Sequence, residues 1–375
     1  MNETAIQPID DEARAIIQLS LTRGIGPRLL RGLLEQFGSA REALRASPEQ
    51  LRSVEGIGPQ LVRAICTSAE QVDVDRLLAQ CENNQITIKT LASPDYPRTL
   101  QEIYDPPNLL FEMGRWEEAD QLAVAIVGSR HATTYGLKQA ERFARGLSLA
   151  GFTVVSGLAR GIDQAAHRGA LAAGGRTIAV LGSGLLNIYP PEHDSLAREI
   201  AAAGCVFSEL EPEHSPKGAA FPQRNRIVTG LSLGTIVIEA SERSGALISA
   251  RLAMEQGREV YAMPGRVDSR MSRGCHRLIR DGAKLVETVD DVLEELGPLA
   301  MPVRKGDAEV IHHPAELKLN EQEGKVLNAI GTEPTPLDEV VATSGVPVHR
   351  VLSTISVLEM KRLIQRIGQS SVCRR

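Results

Sequence analysis

From residue 122 onward the apolar positions come in short unbroken runs, each followed by a stretch of helical period. Residues 122–127 form the first run, closed by Gly128-Ser129-Arg130, and 134–150 then repeat at the spacing of a helix. The unit recurs at 152–155, closed by Ser156-Gly157 before a helix to 173. It recurs again at 177–181, closed by Gly182-Ser183-Gly184 before a helix near 192–203. Residues 235–238, a helix over 245–256, then 259–263 and 284–286 continue the series. Buried strands alternating with helices predict an α/β fold, a doubly wound parallel sheet whose ligand site lies beyond the carboxyl ends of its strands.

The flanks follow other periods. Residues 12–70 are helical in pattern and contain one phrase twice, Gly24-Ile25-Gly26-Pro27 and Gly56-Ile57-Gly58-Pro59, 32 residues apart. A helix that ends at Gly and restarts at Pro makes a tight hairpin, because proline suits the first helical turn. Such a hairpin either serves only to turn the chain or also holds a phosphate on the backbone N–H groups around Gly24, Gly26, Gly56 and Gly58, with Arg28, Arg31 or Arg63 nearby. Residues 71–110, with Pro94, Pro97, Pro106 and Pro107, read as a connector into an α/β domain over 111–297, and 298–318 as a linker with Pro298, Pro302 and Pro314. In 319–370, helices at 320–330, 337–343 and 348–360 precede an alternating tail at 363–367, the pattern of a winged helix. From 319 to the end there are 7 Lys and Arg against 6 Asp and Glu, so either groove binding or a protein-docking role fits.

A length of 375 residues fits two or three domains at about 100–200 residues each. The longest uncharged run, 177–191, is 15 residues, short of the roughly 20 apolar residues of a membrane-spanning helix. The first basic residue, Arg14, follows Glu3, Asp10, Asp11 and Glu12, the reverse of a signal peptide. Cysteines at 66, 81, 205, 275 and 373 have neither CxxC nor metal-ligand spacing and read as reduced thiols in cytoplasm. The net charge is −5, yet 217–284 holds 12 Lys and Arg against 6 Asp and Glu, +6, which leaves −11 for the remainder. Charge is segregated along the chain, which fits either a set of solvated helix faces or a region that meets an anionic partner.

Small residues end strand after strand, at Gly128-Ser129-Arg130, Ser156-Gly157, Gly182-Ser183-Gly184 and Ser244-Gly245, where backbone N–H groups and helix N-termini favour phosphate. Residues 182–187 match a dinucleotide fingerprint only in part, and GxxxxGK[ST], GxSxG and HExxH are absent, so no cofactor, metal or catalytic residue is expected. In Phe221-Pro222-Gln223-Arg224-Asn225-Arg226, guanidinium groups suit phosphate, the amide a base edge and the ring an unpaired base. The competing reading puts Phe221 in a core and pairs the arginines with Glu239 or Glu242. On the first reading Arg130 and Arg224 face solvent in one positive pocket at the carboxyl edge of the sheet.

Together these segments resemble the DNA-processing protein A family (DprA, also called Smf). The motifs are Gly128-Ser-Arg-His-Ala-Thr-Thr-Tyr-Gly136, Ser156-Gly-Leu-Ala-Arg-Gly-Ile-Asp163, Phe221-Pro-Gln-Arg-Asn-Arg226, Ser244-Gly245 and Met263-Pro-Gly265. The resemblance implies an extended Rossmann-like core between a helix-hairpin-helix or SAM-like domain and a winged helix. It implies a cytoplasmic homodimer that binds single-stranded DNA and loads the RecA recombinase on it in natural transformation, competence and DNA recombination. It makes Gly128, Ser129, Arg130, Ser156, Gly157, Lys217, Phe221, Arg224, Asn225, Arg226, Ser244 and Gly245 the expected DNA site, with Gly24, Gly26, Gly56 and Gly58 as a second contact. The alternative is a nucleotide-cleaving enzyme like the LOG-type phosphoribohydrolases, whose glycine-threonine-acid phrase 233–239 superficially resembles. That phrase has its acid three residues after Thr, whereas Glu239 is four after Thr235 and so lies on the other face of a strand.

Overall fold

The structure is a computed structural model that describes residues 10–296, 303–305, 309–311, 321–331, 334–360, 363–367 and 371–374. The fold is α/β with a large mixed sheet. The chain divides into two compact units, residues up to 116 with 179–231, and residues 117–178 with those from 232 onward. The sheet strands are β1 (Ile86–Thr90), β2 (Leu109–Gly114), β3 (Ala123–Gly128), β4 (Thr153–Ser156), β5 (Thr177–Val180), β6 (Cys205–Ser208), β7 (Gly234–Ile238), β8 (Glu259–Ala262) and β9 (Lys284–Leu285).

In the first unit, helices Asp11–Leu21 and Pro27–Phe37 flank the first copy of the hairpin and Pro48–Arg52 and Pro59–Cys66 the second, with Pro27 and Pro59 opening their helices. Gly24 and Gly56 have φ of 91° and 89°, a region that L side chains avoid. A Cβ on Gly24 would lie 2.7 Å from Leu61 Cδ2, and one on Gly56 2.9 Å from Leu29 Cδ2. Each copy therefore seats its glycine under the other copy's leucine, which joins the repeats into one reciprocal unit. Gly26 and Gly58 have ordinary negative φ, and a Cβ there would meet nothing within 4 Å.

The stretch expected to be a connector carries sheet. β1 pairs antiparallel with β2, and β2 antiparallel with β6, in the order β1-β2-β6-β5. The doubly wound parallel sheet of the sequence reading is thus extended by antiparallel strands into a mixed one. A buried ion pair on the ladder hides these strands from a hydrophobicity pattern: Lys89 Nζ lies 3.1 Å from Glu112 Oε2, both side chains almost inaccessible, and it also donates to Asp95. The helix Ala220–Gly230, also unforeseen, contains Pro222 in its first turn, where proline is tolerated. Its packing needs Gly230, since a Cβ there would approach Ile103 and Leu100 to 2.9 Å.

In the second unit the strands run β4-β3-β7-β8-β9, and each neighbouring pair is parallel. Ile126, Phe143, Leu147, Tyr261 and Val292 belong to its core. The covering helices Thr134–Leu149 and Ile162–Ala172 approach closely at Gly169, whose Cβ would lie 2.5 Å from the Glu141 carbonyl oxygen. Farther on, Val303–Lys305 and Glu309–Ile311 pair as a short hairpin inside the expected linker. The other residues of 298–318 lie outside the described residues. Helices Glu321–Asn328, Leu337–Ser344 and Val348–Met360 share a separate core that includes Val326, Val340, Val351, Ile355 and Val372. Ile364–Ile367 pairs with Ser371–Arg374 as the wing.

Candidate nucleic-acid interface

In the second unit the turn after β3 is built around Ser129. Its N–H donates to Glu239 O at 2.8 Å, its carbonyl accepts from the Ile162 N–H at 3.2 Å, and its hydroxyl accepts from the His131 N–H at 3.1 Å. Gly128 is required here, because a Cβ would sit 1.9 Å from Ile238 O on the neighbouring strand. The fold thus uses Ser129 as a staple and leaves Arg130 exposed. Ser156 is fully buried and donates to Ile126 O at 2.6 Å, so its hydroxyl braces β3 rather than lining an open pocket. Gly157 is buried beside it, and Leu158 adopts φ 57°. At the next loop the Ser244 hydroxyl accepts from the Ala246 N–H at 3.3 Å. Gly245 is exposed with φ −59° and nothing within 4 Å of a Cβ.

Glu239 stands at the end of β7 with φ 53°. Its carboxylate accepts from the Thr133 N–H at 2.7 Å and from the Thr133 hydroxyl at 2.5 Å, and a Cβ on Gly136 would come within 2.4 Å of Oε2. A carboxylate held there stabilises the positive end of the helix Thr134–Leu149. Both oxygens of the acid are engaged by the fold, which leaves the phrase around Thr235 without the acid that a phosphoribohydrolase needs.

In the first unit the Gly182-Ser183-Gly184 turn departs from the expected anion cradle. The Gly184 N–H is spent on His214 O at 2.8 Å, and a Cβ on Gly184 would lie 2.2 Å from Glu211 O. Gly182 instead makes room for Phe221, whose Cδ1 would be 2.7 Å from a Cβ there. Phe221 is half-buried, and its ring centroid lies 5.4 Å from that of Tyr189 with 49° between the planes. Tyr189 is exposed, and its signal in the sequence is an aromatic before Pro190-Pro191 on a strand-end loop.

The two arginines of this segment also depart from the solvent-facing expectation. Arg224 is 4 % exposed and donates to Val180 O at the end of β5, rather than pairing with Glu239 or Glu242. Arg226 donates to Asp105 at 2.9 Å and to Glu209 at 2.6 Å. Burial disfavours the charge of Arg226, but Glu209 and then Asp105 outweigh it and hold the guanidinium above its ordinary pKa. The physical reason is the unforeseen helix, which is packed on two sides and delivers Arg224 to Val180 O and Arg226, two residues on, to Asp105 and Glu209. Lys217 and Gly218 remain exposed on the loop before it, and Asn225 is half-buried. Among the described residues no group of His, Cys, Asp and Glu is placed to hold a metal ion, and no helix is long and apolar enough to cross a membrane.

Residues 87–297 match the family described as DNA recombination-mediator protein A, 312–368 the DprA winged helix domain, and 18–71 a SAM-like helix-hairpin-helix tandem. Over 378 residues the chain is 34 % identical to the protein Smf of Synechocystis sp., spanning 92 % of this chain and 95 % of that one. The chain belongs to the DprA/Smf family. It is 48 % identical over 200 residues to DNA processing protein DprA of Streptococcus pneumoniae, spanning 53 % of this chain and 71 % of the relative. The X-ray structure of the Streptococcus pneumoniae protein aligns with a TM-score of 0.67 at 37 % identity, covering 75 % of this chain and 97 % of that one. DprA from Helicobacter pylori, solved to describe its single-stranded DNA binding mode, aligns at 0.52 with 30 % identity, covering 58 % and 98 %. The family is described as one of DNA recombination mediators.

Proposed function

We propose that this chain binds single-stranded DNA and, as a cytoplasmic homodimer, loads a RecA recombinase on it in natural transformation and recombination. The observation that carries the reading is a division of labour inside its motifs. Ser129, Ser156, Arg224 and Arg226 are consumed by the fold, whereas Arg130, Lys217, Gly218 and Gly245 stand exposed. Neither backbone angle nor space demands glycine at Gly245, so its bare N–H and missing side chain suit a phosphate that comes close. Arg130 and Lys217 supply charge, Asn225 a base-edge partner, and Phe221 with Tyr189 a surface on which an unpaired base stacks. Gly128, Ser129, Ser156, Gly157 and Ser244 shape these turns, and Arg224 and Arg226 position the helix that carries Asn225. Gly26 and Gly58, free of structural demand, offer the second contact on the hairpins, which Gly24 and Gly56 hold in shape.

The test is a titration of the purified chain with single- and double-stranded oligonucleotides at several salt concentrations. Single strands are expected to bind more tightly, with log K falling steeply with log salt, about 0.7 per phosphate contacted. Equal affinity for both forms, or a salt-independent constant, would overturn the reading. Light scattering on the same preparations tests the homodimer, and filament assembly on protein-coated single strands tests RecA loading.

A further inference from the structure

Residues 266–280 hold five arginines, at 266, 270, 273, 277 and 280, against one acid, Asp268, in a chain whose net charge is −5. All five arginines are exposed. The helix Arg273–Arg280 buries Gly274, Cys275 and Leu278, and its exposed positions are Arg273, Arg277 and Arg280 alone. These recur at i, i+4 and i+7, one stripe with steps of about 6 and 4.5 Å along the axis. Arg266 pairs with Asp268 at 2.9 Å and Arg277 lies 3.5 Å from Asp281. Among the described residues Arg270, Arg273 and Arg280 have no carboxylate partner.

The stripe is anchored beside the turns already described. The Gly274 N–H donates to Ala240 O at 2.7 Å, and a Cβ on Gly274 would lie 2.6 Å from that oxygen. Cys275 Sγ lies 3.6 Å from Val237 O, and His276 Nε2 lies 3.0 Å from Gly265 O. The helix is therefore clamped to the carboxyl end of β7, where Glu239 leads into the Ser244-Gly245 loop, with its arginines outward. We infer that Arg273, Arg277 and Arg280, with Arg270 at their head, form a second phosphate track that takes the DNA strand as it leaves that loop. This rests on the reading that the chain binds single-stranded DNA. An acidic protein segment is the competing occupant. Protein interfaces centre on apolar and aromatic anchors, and this helix exposes only guanidinium groups, whereas contacts to nucleic acid go mostly to phosphate and sugar.

The experiment compares the full chain with an Arg273→Gln, Arg277→Gln, Arg280→Gln variant on oligothymidylates of about 30 and about 6 nucleotides, the shorter near the lower end of known site sizes. On the long strand the variant is expected to lose about 2 from the salt slope, roughly 0.7 for each of three phosphates, and to bind at least tenfold more weakly at low salt. On the short strand the two proteins are expected to match, and the corresponding triple Lys variant is expected to keep the full slope. Should the Gln variant not fold, the three single Gln variants are each expected to lose one step of the slope. An unchanged slope on the long strand in the presence of tight parental binding overturns the track and leaves the proposed function standing. Failure of the parent to bind either strand removes both. Loss of binding to a poly-glutamate peptide, with the DNA slope intact, would assign the stripe to an acidic protein instead.

Discussion

Arg224 and Arg130 carry the same guanidinium to opposite ends. Arg224→Ala removes a charge-assisted donor to Val180 O from a buried site and opens a cavity, which together should cost on the order of 3 kcal/mol of stability. Arg130→Ala, at an exposed position, should leave stability within about 0.5 kcal/mol and weaken single-strand binding by on the order of 1–3 kcal/mol. Gly245→Ala should keep or raise stability, by up to about 1 kcal/mol through the unfolded chain, and still weaken binding because a Cβ would stand where the phosphate approaches. Denaturant unfolding and DNA titration on the same preparations check all three, and an Arg224→Ala protein as stable as the parent would contradict the brace. The motifs were legible in the sequence because residue type states chemistry. The division between brace and contact was not, because it depends on which way the helix Ala220–Gly230 turns each side chain. Ser156 illustrates the point: a strand-end serine reads as an anion donor until Ile126 O is found 2.6 Å from its hydroxyl.

At the scale of elements, the repeated Gly-Ile-Gly-Pro hairpins were legible because everything that defines them is local: a positive φ, a proline at the first helical position, and a period. β1 and β2 were not, since their pairing is sealed by ionised groups far apart in sequence. Lys89→Met tests this. Burial is the main influence on Glu112 and raises its pKa above 4.5, with Lys89 offsetting part of the rise. Burial lowers the pKa of Lys89, but Glu112 and Asp95 outweigh it and leave the ammonium above 10.5. A carboxyl whose folded pKa exceeds its unfolded value binds its proton more tightly when folded, so it destabilises as pH rises through the folded pKa and not below 4.5. Without the ammonium, that folded pKa climbs further. Lys89→Met is therefore expected to cost about 3 kcal/mol near neutral pH and markedly less at about pH 4, where Glu112 is neutral with or without its partner. Unfolding titrations at the two pH values check it, and a cost that does not shrink in acid would mean that the pair does not seal the ladder.

Across the whole molecule, charge is sorted by region more sharply than by sign. The basic window from 217 to 284 is offset by a remainder that sums to −11, a segregation along the chain. The winged helix does not share that bias. Its third helix, Val348–Met360, exposes Val348 at 56 % and Leu352 at 43 % beside a single arginine, Arg350, and Ile367 on the wing is exposed as well. A helix that reads a groove needs polar and basic groups at its surface, whereas an apolar one suits a protein. The domain also has its own core, so the rest of the chain does not need it to fold. A chain ending at residue 297 is accordingly expected to keep its single-strand affinity within about threefold and its salt slope within about 0.7, the contribution of one phosphate, while its melting temperature stays near that of the parent. Loss of about 2 or more from the slope on truncation would place several phosphate contacts on the winged helix. An unchanged slope instead leaves the exposed Val348 and Leu352 to meet a protein, and keeps the phosphate contacts off the winged helix.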